Sequence, residues 1–325
     1  MRSPRLPAAA LILVAACAST PAPRPTAAPS SVASPSPAAP SLAPVAVSLR
    51  VTTGKQPCGV LGTPGGVWVS DYGSDDLVRL DPRTGRVVVR VGVGDQPCGL
   101  AYGAGSVWVE NFGSDDVTRV DATTGRVQAT VKVGDAPYDV TFGFGAAWVT
   151  DHSANTVSRI DAATNRVTKI HDVGTPAGIL ATAGAVWVTD DFNGRLYRID
   201  PRTARVTRSW AAGAGAAWLA GDAANVWVAN GNAKTVGRYD AAHASGLRTV
   251  YMVPAAPLDG DVLAGFAYLP LADGRLVRLD PRTGQVKTLR LPIAAGFVLA
   301  VAGGAVWAAD FGGTDVVRVD PAAFR

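Results

Sequence analysis

Three observations predict an all-β fold, a seven-bladed β-propeller of four-stranded blades. A unit of 39 or 40 residues recurs seven times, each unit reads as four short strands, and the segment before the first unit matches the strand that the last unit lacks. Self-similarity at this period marks a propeller or a solenoid. The markers are Trp68, Trp108, Trp148, Trp187, Trp227 and Trp307, with Tyr268 near the sixth place. Asp81, Asp121, Asp161, Asp200, Asp240, Asp280 and Asp320 follow the same step. Arg79, Arg119, Arg159, Arg198, Arg238, Arg278 and Arg318 each stand two residues before one of those Asp.

The first unit justifies the strand count. Gly59 to Leu61 is a short apolar run, closed by the turn Thr63-Pro64-Gly65-Gly66. Val67-Trp68-Val69 is a second strand, apolar on both faces, as packing between two neighbours requires. Leu77 to Leu80 is a third. Asp81-Pro82-Arg83-Thr84-Gly85 is a hairpin turn, because Pro presets an early φ and Gly accepts a late positive one. Arg86 to Val91 is the fourth. No segment has helical periodicity with caps, and four strands per 40 residues is one blade.

Closure follows from counting. The seventh unit stops at Asp320 without a fourth strand. Shifted by 40, Val47, Leu49, Arg50 and Val51 fall on Val87, Val89, Arg90 and Val91. The N-terminal strand is therefore expected to complete the last blade and cover its edge. The propeller domain is expected over 45–325.

Ahead of it, residues 1–16 read as an export signal: Arg2 and Arg5, then an apolar Leu6 to Val14, then small residues. The apolar run is shorter than the roughly 20 residues of a bilayer span. Val14-Ala15-Ala16-Cys17 resembles a bacterial lipobox, which implies cleavage before Cys17 and its acylation. An ordinary signal peptide is the alternative. Residues 18–44 are almost all Ala, Pro, Ser and Thr, a composition that reads as a flexible tether. The chain is thus expected to be exported and held by lipid on Cys17 at the outer side of a bacterial cell membrane. Its formal charge is +4, or +2 once Arg2 and Arg5 are removed. That is too small and too evenly spread for nucleic-acid binding.

Residues common to every unit serve the blade, so the Arg and Asp ladders read as repeated ion pairs or turn caps. Sites are expected where the repeat varies. The start of strand one and the end of strand two open on one face, the mouth. After the unit's Pro stand Cys58, Cys98, Tyr138, Ala177, Ala217, Leu258 and Phe297. The next place holds Gly59, Gly99, Asp139, Gly178, Trp218, Asp259 and Val298. Three residues after the Trp come Asp71, Asn111, Asp151, Asp190, Asn230 and Asp310, and near them Tyr72, Phe112, His152, Phe192 and Phe311. The mouth is thus acidic and aromatic, a composition suited to a ligand. The plainer reading makes the Asp/Asn series loop caps, the aromatics core and His152 a surface residue. The other makes the Asp/Asn series a cation or polyol site, with Trp218, Tyr138 and Phe297 projecting toward the channel entrance.

The opposite face carries Arg83, Arg86, Arg126, Arg202 and Arg282, either solvated turn charges or a surface for anionic headgroups. Cys58 and Cys98 occupy equivalent places in adjacent units, each in Gln-Pro-Cys-Gly. A disulfide suits an oxidising compartment, and adjacent inner strands are borderline for its Cα separation. Bridge and free thiols both stay open.

The unit Val-Trp-Val-x-Asp…Val-x-Arg-Ile-Asp-Pro-x-Thr-Gly-Arg-Val resembles the YVTN and NHL-like propellers, and most of all the streptogramin B lyase-like group, across nearly all of 45–325. The resemblance implies catalytic His just after the unit's Pro, and Glu acting with Mg²⁺. Here that place never holds His, and Glu110 is the single Glu of the chain. No acidic metal cage of the gluconolactonase kind and no WD40 signature is found. Nor does a Ser-His-Asp spacing or a phosphate loop stand out. No cofactor and no metal are expected. The leading expectation is a non-catalytic binding or scaffold protein, taking a small molecule, glycan, peptide or partner protein at the mouth. The rival is a metal-assisted lyase or lactonase at the same mouth, drawing on Asp139, Asp151, His152 and Asp259.

Overall fold

The computed structural model describes residues 47–293 and 298–324. Seven four-stranded antiparallel sheets form the ring. The first shows the plan: β2 (Pro57–Thr63), β3 (Gly66–Asp71), β4 (Asp76–Leu80) and β5 (Val87–Gly92) lie side by side in chain order. Blades 2 to 6 repeat it over 97–132, 137–170, 176–211, 216–252 and 261–290. Blade 7 combines Val298–Ala302, Ala305–Ala309 and Asp315–Val319 with β1 (Leu49–Thr52) from the N-terminus.

The closing register is the one the 40-residue shift implies. Leu49 pairs with Arg318 and Val51 with Val316, just as Val89 pairs with Arg79 and Val91 with Leu77. The side chains repeat as well, since Arg50 meets Asp315 as Arg90 meets Asp76. β1 thereby hides an edge that would otherwise template pairing with another chain.

The core is seven seams between blades. Trp68 packs on Val107 and Val109 of blade 2, and Trp307 closes the ring on Val67 and Val69 of blade 1. Tyr268 takes the Trp place in blade 6 and packs on Val306 and Ala308. A short 3₁₀ turn, Pro321–Phe324, adds Phe324 edge-on to Tyr268 at 5.3 Å.

The Arg and Asp ladders turn out to have separate jobs. The turn Asp of blades 1 to 6 caps its own hairpin, as Asp81 does by accepting the amides of Arg83 and Thr84, both at 2.9 Å, and Asp320 caps the 3₁₀ turn through Ala322 N. The Arg lies opposite the Trp and stacks on it, at 5.5 Å for Arg79, 4.7 Å for Arg119, 5.5 Å for Arg159 and 5.8 Å for Arg238. Its guanidinium then reaches the next blade, Arg79 donating to the Ala122 carbonyl at 2.8 Å and Arg119 to that of Ala162 at 2.7 Å. The expected Arg–Asp pair within a blade is approached by Arg159 and Asp161, at 3.9 Å. A stacked, planar cation bridging two blades is a role that Arg fills and Lys does not.

Cys17, the export signal and the tether lie outside the described residues, as does Phe297. Among the described residues no helix is long and apolar enough to cross a membrane.

Candidate functional site

Hydrogen bonds place the mouth. The amides of Tyr72 and Gly73 donate to the carbonyls of Gln56 and Lys55, and His152 N donates to Ala136 O at 3.0 Å. Each turn after strand two is thus tied to the linker entering strand one, so both lie on one face.

The Asp/Asn series lies beneath those loops. Asp151 is fully buried and accepts from Gly134 N at 2.9 Å, from the hydroxyls of Thr156 and Ser158 at 2.7 Å, and from Lys169 Nζ at 2.9 Å. Asp190 takes Asn193 N at 3.0 Å and the Asn193 amide group at 2.9 Å. Asp71 accepts the Thr53 hydroxyl at 2.7 Å, and burial pushes its carboxyl above the usual range, with neighbouring Asp76 adding to the rise. Asn230 caps Gly213 N in the same way, and Asp310 is buried with its carbonyl accepting Gly313 N. Asp151, Asp190, Asn230 and one oxygen of Asp71 are engaged by the fold's own donors, whereas Asp71 Oδ2 and Asp310 Oδ1 are buried with no hydrogen-bond partner.

Asp139, on the inner strand of blade 3, and Asp259, two residues before that of blade 6, act as clips between blades. Asp139 accepts Val140 N at 2.8 Å and, across the seam, Ile179 N at 3.0 Å. Asp259 accepts Leu299 N at 2.9 Å. Asp261, which sequence reasoning passed over, accepts Val301 N at 2.7 Å. Inner strands have no sheet partner on the channel side, so their amides need such acceptors. Desolvation pushes Asp139 and Asp259 up to about 7.

Beside them runs a second ladder, Thr150 standing opposite Asp139 in register. Ser70, Thr150 and Thr189 each accept an amide of their own inner strand and donate to a carbonyl of the next, Cys98, Ala177 and Ala217, at 2.6 to 2.8 Å. In blade 2 the same place holds Glu110, whose Oε1 accepts Gly99 N at 2.7 Å. Its other oxygen is buried with no hydrogen-bond partner. Desolvation raises this carboxyl well above its ordinary value, and Asp139 adds to the rise.

Above this polar layer the aromatics fall into two groups. Tyr138 of blade 3 stacks on Trp218 of blade 5, with ring centroids 5.4 Å apart and planes 25° apart. They meet over blade 4, whose own residues there are Ala177 and Gly178. A Cβ on Gly178 would sit 2.3 Å from the Ala217 carbonyl, so the close approach of the inner strands requires glycine. His152 lies 5.3 Å from Tyr138, and its Nε2 is 3.4 Å from Asp191. Tyr138 and Trp218 are half-buried. Burial raises the Tyr138 hydroxyl above its ordinary value, helped by Asp191, Asp139 and Glu110.

The second group surrounds a disulfide. Cys58 and Cys98 are bridged, with Cα atoms 5.0 Å apart, in contact with Tyr72, Phe112 and Phe311. Tyr72 lies 5.5 Å from Phe311, edge-on. Phe192 joins neither group. Asp191 takes the turn place that Tyr72, Phe112 and His152 hold elsewhere, and Phe192, one residue on, is 85% exposed. Phe192 thus stands apart from both aromatic groups, and Asp191 is the residue that sequence reasoning missed.

The Mg²⁺ that the resemblance implies does not fit this donor set. Among the described residues no three His, Cys, Asp or Glu side chains stand together as a metal site. Asp139 and Asp259 instead spend their oxygens on backbone amides.

No known family description matches this sequence, and no curated protein matches it. Solved structures do share its fold. Virginiamycin B lyase from Staphylococcus aureus superposes with a TM-score of 0.71 at 17% identity, covering 81% of this chain and 94% of that one. A catalytically inactive variant of that enzyme with quinupristin gives 0.70 at 17% identity, over 83% and 98%. The Pan2 WD40 domain of Neurospora crassa gives 0.68 at 11% identity, over 81% and 88%. At these identities the likeness is one of architecture: a streptogramin B lyase-like β-propeller in fold.

Proposed function

We propose that this protein is an exported, lipid-anchored propeller that binds a ligand with a flat, partly apolar ring at its mouth. The observation that carries this reading is the Tyr138–Trp218 stack. Two non-adjacent blades contribute one aromatic each, the blade between them contributes Ala and Gly, and neither aromatic residue is fully buried. Aromatic walls with a few polar groups are what small-molecule sites are made of. His152 and Asp191 supply the polar edge, and the disulfide cluster bounds the other side.

Titration of a panel of ring-containing small molecules and glycans, followed by tryptophan fluorescence and thermal shift, tests it. A binder is expected whose signal falls at least about tenfold in affinity in Trp218→Ala. Binding unchanged in Trp218→Ala and in Tyr138→Ala would exclude the site.

A second reading, an enzyme acting at the same mouth, is favoured by the His152–Asp191 pair. A histidine oriented by a carboxylate is an acid–base element. On this reading a cyclic lactone is turned over and the turnover disappears in His152→Ala. Retained turnover in that variant would remove His152 from the chemistry.

A further inference from the structure

We infer that the face opposite the mouth docks on an anionic lipid surface, so that the mouth points away from the membrane. The inference rests on the lipid-anchor reading of Cys17 and adds to it an orientation and a partner.

The first observation is where the chain enters the ring. Ser48 N donates to Arg318 O at 2.9 Å, and Thr53 N donates to Thr314 O at 3.0 Å. Arg318 stands at the turn end of its strand and Thr314 at the mouth end, so β1 runs from the turn face towards the mouth. A Cβ on Gly85, in the first Asp-Pro-Arg turn, would lie 3.0 Å from Leu49. The propeller is therefore entered beside a turn that carries Arg83 and Arg86. The 29 residues between Cys17 and Val47 span at most roughly 100 Å. That length alone would let either face reach the lipid, so charge has to choose.

Charge differs between the faces. In each blade the capping Asp is offset by the Arg stacked behind it. What remains exposed on the turn face is Arg83, Arg86, Arg126, Arg166, Arg202 and Arg205, with Asp222 as an added acid. The mouth rim instead exposes Asp75, Asp95, Asp135 and Asp172, and Asp273 paired with Arg275, with Lys55 and Lys234 as added bases, so its exposed charge is net acidic. An anionic surface attracts the first set and repels the second. The hairpins between strands one and two end on the turn face as well, as the bond from Ala162 N to Gly145 O shows. Phe144, at the tip of one such hairpin, is 45% exposed, and Tyr102 of the neighbouring blade is 39% exposed. Aromatic side chains among Arg are the composition of a surface that settles into a headgroup layer.

The test uses the lipidated full-length protein on phosphatidylcholine vesicles with or without phosphatidylglycerol. A single dye is placed at Ala163→Cys on the turn face or at Phe192→Cys on the mouth rim, and a headgroup-labelled nitroxide lipid is the quencher. The turn-face dye is expected to be quenched about threefold more than the rim dye when phosphatidylglycerol is present. That difference should vanish in the combined Arg86→Gln, Arg126→Gln, Arg166→Gln and Arg202→Gln variant, whose thermal melt should match the parent. Equal quenching of the two dyes, stronger quenching at the rim, or a difference that survives the four substitutions would overturn the orientation. If mass analysis shows no acyl group on Cys17, the anchor reading fails separately. Sedimentation of that chain with the same vesicles then decides the surface: capture by phosphatidylglycerol that the four substitutions abolish keeps it, and no capture overturns it.

Discussion

At the scale of single residues, the same side-chain chemistry serves two ends depending on what lies within reach. Asp151 and Asp190 cap loops from donors of their own repeat unit, and residue type alone pointed to that role. Asp139 and Asp259 look alike in sequence, yet their acceptor duty is to amides 40 residues away. Only the curvature of the ring brings those amides close. Glu110 is the exception in the hydroxyl ladder. A Thr there would accept Gly99 N and free the fold of a buried oxygen with no partner. Glu110→Thr is therefore expected to raise stability by about 1 kcal/mol at pH 8. The gain should be smaller at pH 5, because burial raises this carboxyl and falling pH favours its neutral form in the folded chain. Denaturant melts of the two proteins at both pH values check this, and a loss of stability in the variant at pH 8 would show that the carboxylate has a partner.

At the scale of elements, two devices hold blades together beyond apolar packing. The stacked Arg joins a Trp to the neighbouring turn. Arg119→Lys keeps the charge but loses the planar stack on Trp108 and the directed bond to Ala162, and should cost about 1–2 kcal/mol in a chemical melt. The closing strand is the other device. Removing residues 45–51 exposes the edge of Asp315–Val319 and uncovers the seam under Leu49 and Val51. The expected result is a loss of roughly 2–4 kcal/mol together with association visible by size-exclusion chromatography. A monomer with an unchanged melt would mean that the ring closes by other contacts.

At the scale of the whole molecule, the disulfide ties blade 1 to blade 2 across a 40-residue separation. Replacing Cys58 and Cys98 by Ala should lower stability by about 3–4 kcal/mol, measured under non-reducing conditions. The pH profile is also a property of the whole ring. Asp139 and Asp259 sit at about 7, above their unfolded values near 3.8. The native state then holds extra protons between those limits, and stability falls as pH rises through the window. The turn caps shift the other way: amides bonded to Asp81, Asp121 and Asp161 lower their carboxyls, so that contribution is lost as pH falls below about 4. Together they place the stability maximum near pH 4, with a decline from there to about pH 7. Thermal melts across pH 3 to 8 should show it, and Asp259→Asn should flatten the alkaline limb.

Sequence by itself determined the number of blades, the four strands in each and the closing register. These depend on local turn chemistry and on a repeat that can be counted, and both are written along the chain. It also named Tyr138, His152, Trp218 and the two Cys as the variable places. Tertiary structure alone decided which of them meet. Tyr138 and Trp218 are 80 positions apart and touch because the inner strands of blades 3, 4 and 5 crowd around one channel. The same geometry turned Phe192 outward, put Asp191 beside His152, and brought Cys58 within reach of Cys98. Distances across a closed ring depend on the angle between blades, and no single blade's sequence encodes that angle.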